Sequence, residues 1–226
     1  MLASRIIADE LMDADDLDAE TYAAVVHDLA KVNTLTMARR PTLGFLQKLG
    51  TRRLRVLDVG FGDGDMLRAI ARWAAKSNVN AQLVGVDLNP RSALAASAAT
   101  PANLGIEYRT GDYADLAGEP WDAIISSLVA HHMTHEQLVT FVRFMDAQAT
   151  RGWFINDLHR HGFAFLGFPL LATLMRWHPI VRHDGQLSVG RSYRPHEWPA
   201  ILAEAGVTGA TVSRKFPFRL CITKIR

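Results

Sequence analysis

Cysteine occurs once in 226 residues, at Cys221, so neither a disulfide framework nor a cysteine-based zinc site can be assembled within one chain. Long apolar runs are also missing. The most apolar stretch, Phe163 to Met175, is shorter than the roughly 20 residues of a membrane-spanning helix and is interrupted by Pro169. Stable membrane insertion is therefore not expected. Runs of Lys and Arg are absent and the net charge is only +2, which leaves no basic face for nucleic acid. The N-terminus lacks the features of a targeting signal and turns acidic through Asp13, Asp15, Asp16 and Asp18, so a cytoplasmic protein is expected. No repeat, low-complexity tract or linker divides the chain, and its length suits a single α/β domain.

What is present is an alternation. Apolar residues at Tyr22, Val25, Val26, Leu29, Val32 and Leu35 fall on one helical face. A second short helix is expected from Pro41, as a first helical residue, to Leu49, with Gly50 as its stop. From Arg53 onward short apolar runs alternate with helical stretches, the pattern of a mostly parallel sheet. Strands are expected at Arg55–Val59, Leu83–Asp87, Gly105–Arg109, Ala123–Ser126 and Trp153–Asn156, with crossover helices at Asp65–Ala75, Pro90–Ala99 and His135–Ala149. A further helix is expected at Pro195–Ala205. Thr208–Lys215 and Arg219–Lys224 are separated only by Phe216-Pro217-Phe218, too short for a helical crossover, so they form an antiparallel hairpin. The stretch from Asp157 to Arg194 is far longer than an ordinary strand-to-helix loop. It reads as an insertion carrying substrate specificity, with Phe163, Phe165, Leu166, Phe168, Leu170, Leu171, Met175 and Trp177 either helix core or the lining of an apolar pocket.

Asp58-Val59-Gly60-Phe61-Gly62-Asp63-Gly64 follows the first strand and precedes a helix, where glycines allow a tight turn and close approach of a ligand. The dinucleotide fingerprint would place its third glycine at position 65, which is Asp65. Asp63 and Asp65 add negative charge where a pyrophosphate would otherwise sit, whereas a ligand with a cationic centre meets no such opposition. Asp87, at the end of the second strand, can reach a ribose whose hydroxyls are both free, and Leu88 can lie against an adenine ring. Asp112, in Gly111-Asp112-Tyr113, can accept a hydrogen bond from the exocyclic amine.

On these residues the chain resembles the class I S-adenosylmethionine-dependent methyltransferases from roughly Arg53 to Arg226. The resemblance rests on Val56-Leu57-Asp58-Val59-Gly60-Phe61-Gly62-Asp63-Gly64, Val86-Asp87, Gly111-Asp112 and the terminal hairpin. It implies an α/β, Rossmann-like seven-stranded sheet, mostly parallel with an antiparallel C-terminal hairpin and helices on both faces. It also implies S-adenosylmethionine as cofactor and a cofactor set of Asp58, Gly60, Phe61, Gly62, Gly64, Asp87, Leu88, Asp112, Tyr113 and Ser127. One domain is then expected: a helical lid over residues 1–50, a cofactor-binding core over 51–157, a substrate-pocket insertion over 158–194, and a terminal helix and hairpin over 195–226. Tyr22, Asn33 and Arg39 are candidate lid contacts. Ala130-His131-His132-Met133 and the stretch from Arg182 to Val189 are similar to elements of the ubiquinone and menaquinone biosynthesis methyltransferases. The Pro-Pro-Tyr/Phe element of amino-directed nucleic-acid enzymes is absent, Ser126-Ser127-Leu128-Val129 standing in its place. Cys221 lies in the final strand rather than a strand-end loop, which disfavours a covalent cysteine mechanism.

Methyl transfer to a hydroxyl needs alignment and a base of near-neutral pKa. His131, His132 and His159 all fall just beyond strand C-termini, where ligands sit in open α/β sheets, and are the catalytic candidates. Asn156-Asp157-Leu158-His159-Arg160-His161 could supply a base with an orienting carboxylate or metal ligands, but no full ligand set is fixed and no metal is assigned. The expected activity is methylation of a small, largely apolar acceptor, at a phenolic, polyketide-like or quinone-precursor hydroxyl. Carbon methylation, a nicotinamide-dependent oxidoreductase and a non-catalytic cofactor-binding module are the alternatives, and a homodimer is left open.

Overall fold

The computed structural model describes residues 2–14 and 16–226; Met1 and Asp15 of the acidic N-terminal run lie outside the described residues. A seven-stranded sheet runs in the order β3-β2-β1-β4-β5-β7-β6. Its strands are β1 (Arg53–Val59), β2 (Asn80–Asp87), β3 (Ile106–Thr110), β4 (Trp121–Ser127), β5 (Ala149–Leu158), β6 (Thr211–Lys215) and β7 (Arg219–Ile225). The first five pair in parallel, while β7 inserts antiparallel between β5 and β6. The interiors of β1 and β4 are buried without apolar/polar alternation, as expected of strands covered on both faces.

The crossover helices α3 (Asp65–Lys76), α4 (Pro90–Ala99) and α5 (His135–Gln148) start where the sequence implied, because each has a local start signal. Gly64 adopts φ 77 before α3, Asn89 caps α4 ahead of Pro90, and Thr134 forms a capping box with Gln137 ahead of α5. Two cores cover the sheet. One packs Trp121, Trp153, Phe141 and Trp198, and the other packs Phe45, Leu67, Ile70 and Phe154.

Several boundaries differ from expectation. The helix α1 spans Ala19–Leu35 and α2 spans Arg39–Lys48, so Pro41 is the third helical residue rather than the first. It is tolerated because N–H groups in the first turn have no intrahelical partner. The expected helix at Pro195–Ala205 is a 3-10 turn, Pro195–Glu197, followed by α8 (Trp198–Glu204), the break falling where Pro199 removes a donor. The hairpin strand starts at Thr211 because Gly209 turns the chain at φ 75. β5 is twice flanked, by β4 and β7, and is correspondingly longer than expected.

The insertion is ordered into α6 (Gly162–Leu174) and α7 (Pro179–Arg191). With α1 they form a third apolar cluster that includes Val25, Val32, Ala172, Trp177 and Val181. The segment before α1 is pinned to α7: Ile6 N–H donates to Gly190 O, and the N–H groups of Leu11 and Met12 donate to the Asp184 carboxylate. No described helix is long and apolar enough to cross a membrane.

Candidate active site

A cavity of about 450 Å³ opens at the C-terminal ends of the parallel strands, between the sheet and the roof made by α1, α6 and α7, within the size range of ligand sites. Gly60 and Gly62 line it in left-handed backbone conformations, φ 76 and 56. A Cβ at Gly60 would lie 2.3 Å from Val129 Cγ2. Gly62 N–H donates to Asp87 Oδ2 at 3.0 Å, and Asn89 N–H donates to Asp87 Oδ1 at 2.9 Å, so the carboxylate ties the loop to the end of β2. Burial pushes the Asp87 carboxyl up, with these two N–H groups pulling it back.

Phe61, Leu88, Tyr113 and Ser127 join these residues on the cavity wall. Leu88 is 73% exposed, consistent with a side chain that a ligand would cover. Two expected members stand elsewhere. Gly64 faces Tyr108, whose hydroxyl lies 2.3 Å from where a Cβ would be. Asp112 is exposed and accepts a hydrogen bond from Ala114 N–H at 2.9 Å, so its carboxylate caps a turn while its neighbours Gly111 and Tyr113 line the cavity. Among the lid candidates, Tyr22 and Asn33 line the cavity, whereas Arg39 holds Asp65 at 2.7 Å.

The loop's charge is distributed differently from what its sequence suggests. Asp63 is paired with Arg68 at 2.9 Å and Asp65 with Arg39, so both are compensated. The acid without a compensating partner is Asp58, 1% exposed, with neither carboxyl oxygen hydrogen-bonded. Burial and repulsion from Asp65 and Asp87 hold its carboxyl well above the usual carboxylate range. Across the same cavity lies Arg219, 2% exposed, whose Nε and Nη1 have no partner and whose Nη2 donates to Thr36 Oγ1 at 3.2 Å. Burial lowers its pKa. Nothing in the sequence reading pointed to Arg219, although a cation at the head of the apolar run Leu220-Cys221-Ile222 is a usable signal.

His131 and His132 both line the cavity. His131 is buried and its ring Nδ1 lies 2.7 Å from Asp157 Oδ1. Because an ionised carboxylate only accepts, Nδ1 carries the proton, and Nε2 is buried on the side of Glu10. Nε2 has no hydrogen-bond partner and lies 3.7 Å from Glu10 Oε1. Burial lowers the His131 pKa, but Asp157 and Glu10 outweigh it and hold the ring at about 9. Glu10 is likewise opposed by burial, yet His131 and His132 bring it down to about 2. His132 is more open, with Nε2 3.8 Å from Glu10 Oε2 and Nδ1 3.5 Å from Asp13 Oδ2.

His159 is placed apart from this group. Its N–H donates to Phe218 O, continuing the β5–β7 pairing, and its ring sits beside His161 in a separate surface pocket with Arg214, Lys215, Phe216 and Phe218. Asp157 therefore orients His131 and not His159. The trio His159, His161 and Asp157 does not assemble, and the one group of metal-ligand type among the described residues is Glu10, His131 and His132, with ligand atoms within 4.8 Å of one another. Glu10 in that group already accepts from Ser188 Oγ at 2.6 Å and lies 3.9 Å from the Arg191 guanidinium, which leaves it little demand for a further cation. Cys221 is buried opposite Asn156 in β5, and burial pushes its thiol up to about 12, the opposite of an activated nucleophile.

Comparison with known proteins agrees with this geometry. Residues 56–151 match the model of a methyltransferase domain. The chain is 31% identical over 116 residues to trans-aconitate 2-methyltransferase of Mycobacterium tuberculosis, covering 50% of this chain and 41% of that protein. It is 29% identical over 162 residues to the ubiquinone biosynthesis O-methyltransferase of Mesorhizobium japonicum, covering 69% of this chain and 60% of that one. Over residues 56–151 the chain is similar to S-adenosylmethionine-dependent methyltransferases, and its fold is theirs. These matches span about half the length of the curated relatives. Magnesium protoporphyrin IX methyltransferase from Synechocystis PCC 6803, solved with bound S-adenosylhomocysteine, shares the methyltransferase fold at a TM-score of 0.58 and 18% identity, covering 95% of this chain and 90% of that one.

The cofactor of this family is S-adenosylmethionine, and the cavity lining fits it. A buried carboxyl without partners, Asp58, and a buried guanidinium with Nε and Nη1 unpartnered, Arg219, line one cavity. That pair complements a ligand carrying an ammonium, a carboxylate and a cationic sulfur, and would leave both groups uncompensated with a neutral ligand.

Proposed function

We propose that this protein methylates a hydroxyl oxygen of a small, largely apolar acceptor of phenolic, polyketide-like or quinone-precursor type. The observation that carries the reading is that His131, oriented by Asp157, sits in the same cavity as Asp58, Gly60 and Asp87. Met12, Val26, Leu29, Phe168 and Val189 give the cavity an apolar part beside its polar residues Glu10, Asp13 and Asn33, which suits an acceptor that presents one hydroxyl to the histidine.

When bound, S-adenosylmethionine supplies an electrophilic methyl group on a cationic sulfur. Asp58 and Arg219 would take its ammonium and carboxylate, Asp87 its ribose hydroxyls, and Leu88 and Tyr113 would flank its adenine. The cofactor would supply its methyl group to the acceptor oxygen, and His131 Nε2 would take the hydroxyl proton. Asp157 keeps the proton of neutral His131 on Nδ1 and stabilises the imidazolium that forms. A base with a pKa of about 9 lies close to a phenol's value of about 10, so the proton moves nearly without free-energy change.

Incubation with isotopically labelled cofactor and a panel of hydroxylated aromatics, followed by mass spectrometry, tests the reading. O-methyl ethers are expected. Products methylated only on carbon would overturn the oxygen assignment, and binding of a nicotinamide cofactor with none of S-adenosylhomocysteine would overturn the activity class.

A further inference from the structure

A helix that is apolar all round belongs in a core or against lipid, yet α6 lies on the surface. It has no charged residue between Gly162 and Leu174. One side, through Phe168, Leu171 and Ala172, packs into the roof over the cavity. The other presents Phe163, Leu166, Leu170 and Leu174 at helical spacing, from 61% to 79% exposed. The stripe runs about 17 Å along the helix. It continues at its N-terminal end, where the His161 ring stacks between those of Phe163 and Phe218, 5.5 and 5.0 Å away, and Phe216 at the hairpin tip is 80% exposed. A contiguous apolar face of this kind marks an interaction surface.

Its rim has one sign of charge. The sequence holds 23 acidic residues, but none between Leu158 and His183 and none after Glu204, the two segments that build this face. Arg176, Arg182, Arg214 and Lys215 are exposed and make no salt bridge among the described residues. The neighbouring carboxylates are already engaged, Glu197 by Arg160 and Asp28 by Lys31.

We propose that α6 and the tip of the β6–β7 hairpin dock on the surface of an anionic lipid bilayer. Phe163, Leu166, Leu170, Leu174 and Phe216 enter the boundary between headgroups and acyl chains, and the four cations meet lipid phosphates. A second copy related by a two-fold axis through this face would bring the same cations together, so charge complementarity favours lipid. The far side of α6 roofs the cavity through Phe168, so docking puts the cavity beside the membrane, a short route for an apolar acceptor dissolved in lipid. This last step rests on the proposed methyl transfer; the docking itself does not.

Flotation of the full chain with vesicles of phosphatidylcholine alone, and of phosphatidylcholine mixed with phosphatidylglycerol, tests docking without any acceptor. Binding is expected only to the mixed vesicles and is expected to weaken with salt. Arg214→Ala with Lys215→Ala should lower it roughly 25-fold, about five-fold for each cation. Phe163→Ser with Leu170→Ser should lower it by more than about ten-fold while calorimetric binding of S-adenosylhomocysteine is retained, which shows the variant is folded. Equal binding to both vesicle types, no binding to either, or mixed-vesicle binding unchanged in both variants would overturn the proposal. So would self-association in sedimentation velocity that Phe163→Ser with Leu170→Ser abolishes while the wild type ignores vesicles.

Discussion

Asp157, the penultimate residue of β5, accepts two hydrogen bonds from His131, one from its backbone N–H at 2.8 Å and one from its ring Nδ1 at 2.7 Å. The first fixes the turn after β4 and the second fixes the ring within it, so position and tautomer are set by the same carboxylate. A general base contributes typically 10²- to 10⁴-fold. His131→Ala is therefore expected to lower kcat by about that factor while leaving calorimetric affinity for S-adenosylhomocysteine unchanged. His159→Ala, in the separate pocket, should leave kcat within about two-fold. Equal losses in the two variants would remove His131 from the reaction.

The pH profile follows from the same pair. His131 Nε2 accepts a proton only in the neutral ring, and with a pKa of about 9 it is mostly protonated at neutral pH. The kcat/KM for a non-ionising alcohol acceptor should therefore rise with pH and level off above about 9. Asp157 and Glu10 are what raise the pKa, so Asp157→Asn and Glu10→Gln should each move that limb to lower pH. A limb that stays in place in both variants would assign the titration to another group.

The stretches that could be placed from the sequence are those whose cause is local. Gly64, Asn89-Pro90 and Thr134 begin helices within a turn of themselves, and the Phe216-Pro217-Phe218 connection is too short for anything but a hairpin. The glycine loop and Asp87 were legible for the same reason. The partners of the histidines were not. Glu10 and His131 are far apart in the chain, and Asp157 is nearer in sequence to His159 than to His131, so the strand-end cluster suggested the wrong pairing. Nor does adjacency show that Arg68 and Arg39 compensate Asp63 and Asp65, leaving Asp58 as the unpartnered acid of the loop. Compensation is a tertiary property, and it decides which of several acids faces a ligand uncovered.

Arg219 and Asp58 can be separated from the rest of the cavity by choice of ligand. A hydrogen bond to a charged group is worth about 1.5–3 kcal/mol, roughly 10- to 100-fold. Arg219→Met is expected to weaken S-adenosylhomocysteine by that factor and to leave 5′-methylthioadenosine, which lacks the amino-acid end, unaffected. Asp58→Asn should show the same contrast. Calorimetry with both ligands checks this, and equal weakening of the two would mean that the substitutions act on the fold.

Chelation tests the group formed by Glu10, His131 and His132. Ser188 and Arg191 already serve Glu10, so prolonged treatment with a chelator is expected to leave activity unchanged. Added Zn²⁺ should inhibit, because imidazole and carboxylate ligands at this spacing would capture it and occupy the Nε2 lone pair that accepts the proton. Loss of activity on chelation, restored by a divalent ion, would replace the histidine base with a metal.

The glycine loop gives a sharper contrast between two positions of similar backbone. Gly60 and Gly64 have φ of 76 and 77, so an alanine costs roughly 1–2 kcal/mol of backbone strain at either. What differs is the neighbour. At Gly60 the new methyl meets the Val129 side chain at 2.3 Å on the cavity wall, and at Gly64 it meets the hydroxyl of Tyr108 away from the cavity. Gly60→Ala should therefore displace Val129 into the ligand space and abolish S-adenosylhomocysteine binding. Gly64→Ala should lower the melting temperature by several degrees with binding largely kept, because Tyr108 can swing its hydroxyl off Thr100. Thermal melts with and without S-adenosylhomocysteine report both effects in one experiment, and a ligand-induced shift retained by Gly60→Ala would show that the loop does not approach the cofactor.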